Sequence, residues 1–197
     1  MEKKKEKMSK RIGILKYLLI VSLCLFGIGA VKAEAAVLSI SPGSGSYNVG
    51  DNFSVRLLVS SPDMQMNAAS GLVSFPSEDL AVTSISKTGS IINLWAQEPT
   101  FDNNAGTVNF EGIVLNPGFQ GSGGRIVTVA FRVKSAGTAF IAFNSGSVLA
   151  NNGQGTNILS GFINANFTLT PVAQGEDTEV GQIDLAVAVQ VRVHGRF

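Results

Sequence analysis

Apolar side chains recur at every second position along most of this chain, and this period constrains the fold more than any other feature. Such alternation is typical of β-strands that bury one face. The runs with this period are 37–40, 53–59, 80–85, 107–110, 126–133, 138–143 and 162–169. No amphipathic helix pattern follows residue 36, so two sheets must cover each other's apolar faces. The sequence therefore predicts an all-β fold, a two-sheet β-sandwich.

Turn-forming residues separate these runs. Gly, Pro, Asn and Asp supply left-handed backbone conformations and side-chain hydrogen bonds to the backbone. The clusters lie at 41–45, 48–51, 102–106, 116–118 and 151–155, and the glycine-rich stretch 118–124 is predicted to be a flexible connection. Many short strands at nearly regular spacing favour a sandwich over other all-β folds.

Residues 1–35 have the pattern of a secretory signal peptide. An uncharged run of 15 residues, Tyr17 to Val31, precedes the cleavage pattern Ala33-Glu34-Ala35. The run is short for a membrane span of about 20 residues, although an uncleaved anchor over 12–30 stays open. We therefore expect an extracellular or cell-surface protein with no membrane segment after cleavage. The basic residues before the run are Lys3, Lys4, Lys5, Lys7, Lys10 and Arg11.

Removal of the signal peptide changes the charge and the cysteine content. From Ala36 onward the chain has 7 basic and 11 acidic residues, a net charge of −4. This mildly acidic balance argues against a nucleic-acid partner. The single cysteine, Cys24, lies within the apolar run and leaves with it, so the mature chain has no disulfide or thiolate metal site. We expect a domain over 36–170 that folds without a cofactor.

Several segments, in this order, resemble motifs of cohesin domains, which are modules of cellulosomal scaffolding proteins. They are 49–55 (VGDNFSV), 71–82 (GLVSFPSEDLAV), 106–110 (GTVNF), 121–134 (GSGGRIVTVAFRVK) and 137–143 (GTAFIAF). In cohesins an Asp usually precedes the proline of the third-strand turn, whereas this chain has Phe75-Pro76. The resemblance covers about 37–170 and implies a jelly-roll sandwich of about nine strands. It also implies a non-catalytic module that docks a dockerin-type partner in extracellular polysaccharide degradation.

The residues themselves provide little for catalysis or metal binding. The only histidine, His194, lies close to the chain end, so no Ser-His-Asp triad or zinc motif is present. The acids Glu98, Asp102 and Glu111 fall near one predicted hairpin, as a glycosidase pair would require. However, Asp102 opens the turn 102–106, and the calcium-loop pattern that it begins lacks further ligands. We expect no enzyme activity and no metal.

Strand alternation predicts which side chains are available to a partner. If 71, 73 and 75 point inward, Ser70 and Leu72 point outward; if 108 and 110 point inward, Asn109 and Glu111 point outward. By resemblance, cohesins use a face built from such strands. One apolar group among several polar ones suits an interface with an apolar centre and a polar rim. These four residues form the predicted partner-binding face.

The single tryptophan, Trp95, is the fifth predicted binding residue, at the edge of this face. Its indole can anchor a protein partner or stack on a sugar ring, or it can fill the core. Direct polysaccharide binding and a structural or adhesive cell-surface role therefore remain alternatives to dockerin docking.

The end of the chain has a different pattern. Residues 174–179 form a polar, linker-like run, and apolar residues then alternate with polar or small ones from Ile183 to His194. This predicts that 171–197 comprises a linker and an amphipathic strand or a truncated segment.

Overall fold

The computed structural model describes residues 36–172. The predicted signal peptide with Cys24, and most of the 171–197 segment with His194, lie outside the described residues. In the described part, no helix is long and apolar enough to cross a membrane.

Residues 36–172 form ten strands and no helix, which confirms the all-β prediction. Ten strands replace the nine or so expected. The strands are β1 Ala36–Ser41, β2 Ser44–Asn48, β3 Asn52–Ser74, β4 Leu80–Ser86, β5 Leu94–Asp102, β6 Thr107–Ile113, β7 Phe119–Val133, β8 Gly137–Ala150, β9 Leu159–Ile163 and β10 Ala165–Thr170.

The strand β3 organises the sandwich because its 23 residues belong to both layers. Its first half pairs with β1 and β7, whereas its second half pairs with β6 and β8. The first layer therefore has the order β9-β1-β3-β7-β4, and the second has the order β2-β10-β8-β3-β6-β5. Register shifts between Val59 and Met66 mark the place where the strand passes from one layer to the other.

The core consists of the inward side chains of both layers, as the alternation predicts. In β3 the burial alternates from Phe53 to Val59 and again from Ala69 to Val73. An aromatic cluster fills one part of the core, where the ring centroids of Phe53 and Phe131 are 5.5 Å apart. Complete burial of each such side chain stabilises the fold by about 1.5–3 kcal/mol.

Several parts of the chain differ from the prediction, and among them the run 162–169 belongs to two strands, β9 and β10, rather than one. Residues 44–48 and 94–102 form the strands β2 and β5, which the apolar pattern did not reveal. Both have mostly exposed residues because they lie at sheet edges. The stretch 119–124, predicted to be a flexible connection, is the beginning of β7, because it pairs with β3 near Ser61 and Met66.

Candidate partner-binding face

The outer surface of four strands in the second layer carries four of the five predicted binding residues. These strands are β5, β6, the second half of β3, and β8; we call this surface the four-strand face. The buried Val73 and Phe110 point inward from β3 and β6. Because side chains alternate along a strand, Ser70, Leu72 and Asn109 point outward. The predicted division into inward and outward residues is thus confirmed on these strands.

The register of the strands brings four of the five predicted residues together. Ser70 lies opposite Glu111, and Leu72 lies opposite Asn109. These four residues line a shallow depression of about 350 Å³. Two cross-strand rows meet at this depression, namely Gln97, Glu111, Ser70 and Ser147, and then Thr100, Asn109, Leu72 and Ser145, of which all but Thr100 line it.

A third row, next to the Glu111 row, is entirely apolar, and sequence reasoning missed it. Its members face one another successively across β5, β6, β3 and β8, so they form a continuous strip; we call it the apolar row. Leu94 is 54% exposed, whereas the other members are half-buried. The row consists of Leu94, Ile113, Ala68 and Leu149.

Polar groups of the face differ in whether they have partners. The hydroxyls of Ser70 and Ser147 lie 2.9 Å apart and form a hydrogen bond across β3 and β8. Glu111 is exposed and makes no ion pair or hydrogen bond through its carboxylate within residues 36–172. A carboxylate that has no internal partner is available to a donor on another molecule.

The structure separates Trp95 from the other four predicted residues. Trp95 lies opposite Gly112, whose missing side chain points inward, and a Cβ on Gly112 would lie 3.2 Å from the indole Cε3. The ring packs against the hydrophobic core. The Nζ atom of Lys87 lies 5.9 Å from the centroid of the ring. Trp95 therefore occupies the inner side of β5, not the four-strand face.

The other acids near this hairpin have structural partners. The Glu98 carboxylate accepts a hydrogen bond from Lys87 Nζ at 2.7 Å. Asp102 Oδ1 accepts hydrogen bonds from the backbone N–H groups of Asn104 and Ala105, at 2.7 and 3.1 Å, which confirms its interpretation as a turn residue. Within residues 36–172, no group of three or more His, Cys, Asp or Glu residues is placed to hold a metal ion.

No family model and no curated protein matches the sequence. Solved structures do match. A chain of a type I cohesin–dockerin complex from Clostridium thermocellum has a TM-score of 0.60 at 12% identity, covering 73% of this chain and 99% of the other. A non-cellulosomal cohesin from the archaeon Archaeoglobus fulgidus has a TM-score of 0.56 at 18% identity, covering 69% and 91%.

A third neighbour is a cohesin from Clostridium acetobutylicum, CaCohA2, with a TM-score of 0.57 at 17% identity, covering 72% of this chain and 94% of the other. These neighbours support the cohesin resemblance that the sequence motifs indicate. Residues 36–172 therefore have the fold of cohesin modules.

Proposed function

We propose that this protein is an exported, non-catalytic docking module that binds a dockerin-type partner through the four-strand face. The observation that carries the proposal is the apolar row beside the Glu111 carboxylate. An apolar strip bordered by polar groups is the usual composition of a protein interface. The cohesin fold supports this choice, since one structural neighbour comes from a cohesin–dockerin complex.

The dimensions of the face suit a partner of moderate size. Neighbouring rows lie roughly 7 Å apart, because side chains on one face are two residues apart along a strand. Leu72 is therefore roughly 14 Å from the apolar row, and a partner that contacts both must cover Glu111 between them. Such a partner desolvates Leu72 and the apolar row while it offers a donor to the carboxylate.

Direct polysaccharide binding is the second candidate function. Sugar-binding surfaces of sheets rely on exposed aromatic rings that stack on the sugar. The three rows described above contain no aromatic residue, and Trp95 packs against the core. This arrangement favours a protein partner over a neutral polysaccharide at this face.

Two binding assays distinguish these functions. Calorimetry against a panel of dockerin modules should give saturable binding to at least one of them. Pull-down on insoluble cellulose and chitin should leave the protein in the supernatant. Retention on either polysaccharide without dockerin binding would favour the carbohydrate function, and failure of both assays would favour a structural or adhesive role.

Export through the 1–35 signal peptide is part of the proposal. The predicted cleavage pattern directly precedes β1, which begins at Ala36. A cut at that point removes no residue of the sandwich. The exported protein then places the four-strand face in the extracellular space or on the cell surface, where polysaccharide-degrading enzymes act.

A further inference from the structure

A second depression lies on the opposite side of the sandwich, on the outer surface of the first layer. Its volume is about 420 Å³, within the range of small-ligand sites. It lies over β3 and β7, beside the segment between β4 and β5. We call it the arginine cleft. It is lined by Ser41, Arg56, Leu58, Gly89, Ile91, Phe119, Ser122, Gly123, Gly124 and Arg125.

Two guanidinium groups give the arginine cleft a positive charge. Arg125 lies opposite Leu58, and Arg56 is two residues before Leu58 on the same face of β3. No acidic residue lines the cleft among residues 36–172. Arg56 is exposed and its guanidinium has no hydrogen bond or ion pair in this part of the chain. Two adjacent, uncompensated guanidinium groups favour an anion, and their planar fork fits a carboxylate.

Arg125 is held in place by the segment that precedes β5. Its Nη1 donates a hydrogen bond to the carbonyl of Thr88 at 3.2 Å. Its own carbonyl accepts a hydrogen bond from the N–H of Ile91 at 2.8 Å. Because a guanidinium has five N–H donors, most of them remain for a ligand. The cleft therefore has one fixed and one free cation.

Apolar walls complete the cleft, and a glycine makes them possible. A Cβ on Gly124 would lie 2.6 Å from Phe119 Cζ and 3.0 Å from Ile91 Cδ1. Gly124 lies opposite the inward Val59, so the ring of Phe119 and Ile91 pack against the core at this point and border the cleft at its edge. An inorganic anion would leave these walls unused. A sugar ring offers apolar C–H faces to them and hydroxyls to Ser41 and Ser122.

We infer that the arginine cleft binds a carboxylated sugar, that is, a uronate residue of an acidic polysaccharide. An extended acidic peptide fits less well, because β3 is paired with β1 and β7 here, and the Arg125 carbonyl of β7 already accepts a hydrogen bond from the N–H of Ile91. The cleft and the four-strand face lie on opposite layers. The module can therefore hold a protein partner and an acidic polysaccharide at the same time.

Calorimetry of the full chain with trigalacturonate at low salt tests this inference. Arg56→Gln should weaken binding about tenfold or more, because it removes one charge-assisted contact. The matched control is Arg132→Gln, which removes an exposed arginine from the same strand as Arg125 but outside the cleft. It should leave the affinity within about twofold. The fully methyl-esterified trisaccharide, which lacks the carboxylates, should not bind.

Three results would overturn the inference. The first is the absence of saturable trigalacturonate binding to the natural sequence. The second is an equal loss in Arg56→Gln and Arg132→Gln, which would indicate attraction to overall charge. The third is tighter binding of a hexaglutamate peptide that Arg56→Gln also weakens, which would make the cleft a peptide site. Dockerin binding, measured in parallel, reports separately on the four-strand face.

Discussion

Replacement of Phe131 by alanine should cause a large loss of stability. Phe131 lies in β7, is 1% exposed, and contacts two other aromatic rings. The centroid distance is 5.5 Å to Phe53 and 5.3 Å to Phe75, the second pair being edge-on. Since Phe53 belongs to β3 and Phe75 follows it, this ring connects the ends of the strand that organises both layers.

The magnitude follows from the burial of the ring and the space that it leaves. Exposure of a fully buried phenylalanine costs about 2 kcal/mol in transfer free energy. If roughly 80 Å³ of the vacated space stays open, the cavity costs about 2 kcal/mol more, at roughly 24 cal/mol per Å³. The free energy of unfolding should therefore fall by about 4 kcal/mol, within the usual range of about 3–5 kcal/mol.

Urea denaturation followed by the fluorescence of Trp95, the only tryptophan, measures this loss. The matched control is Phe140→Ala in β8, because Phe140 is 56% exposed. It should change the free energy of unfolding by less than about 1 kcal/mol. Equal losses for the two variants would refute the assignment of inward and outward side chains on which the fold description depends.

Three further predictions concern packing, cofactors and export. Gly71→Ala should lower the free energy of unfolding by about 1–3 kcal/mol, because the new Cβ would lie 2.8 Å from two ring atoms of the buried Phe110. Gly43→Ala, which has open space around it, should lower it by less than about 0.5 kcal/mol. Urea titration measures both changes. Circular dichroism should show an all-β spectrum unchanged by dithiothreitol and EDTA; unfolding on chelation would contradict this. Intact-mass measurement of secreted protein should give a chain beginning at Glu34 or Ala36; a cell-associated product that keeps residues 1–30 would contradict it.

The sequence was sufficient to predict the strands that bury one face, and insufficient to predict the strands that do not. In β7 the alternation from Val127 to Val133 reflects a core on one side, so the period predicts the strand. The edge strand β5 contains Pro99 and has mostly exposed residues, so its sequence has no apolar period. This strand depends on its hydrogen bonding to β6 instead. The continuation of β3 past Pro62 depends on pairing in two layers, which no local pattern shows.

The candidate site was predictable only where it depends on alternation within a strand. Leu72 and Glu111 were placed correctly on an outer face because inward neighbours flank each of them. The apolar row was missed because Leu94 and Leu149 lie 55 positions apart in the sequence, and only the register of the strands brings them into line. Trp95 was misplaced because β5 was not predicted as a strand, so its inward side was unknown.

Calorimetric titration of the Leu72→Arg variant with a dockerin module that binds the natural sequence tests the docking proposal most directly. The substitution replaces the one apolar side chain of its row by a charged group that a bound partner must desolvate, so binding should weaken by about 2 kcal/mol or more while stability changes by less than about 0.5. The matched control is Ile163→Arg, which alters an exposed apolar residue on β9, outside the face. It should leave the affinity unchanged. Equal affinity of Leu72→Arg and the natural sequence would contradict the proposal that the four-strand face is the docking surface.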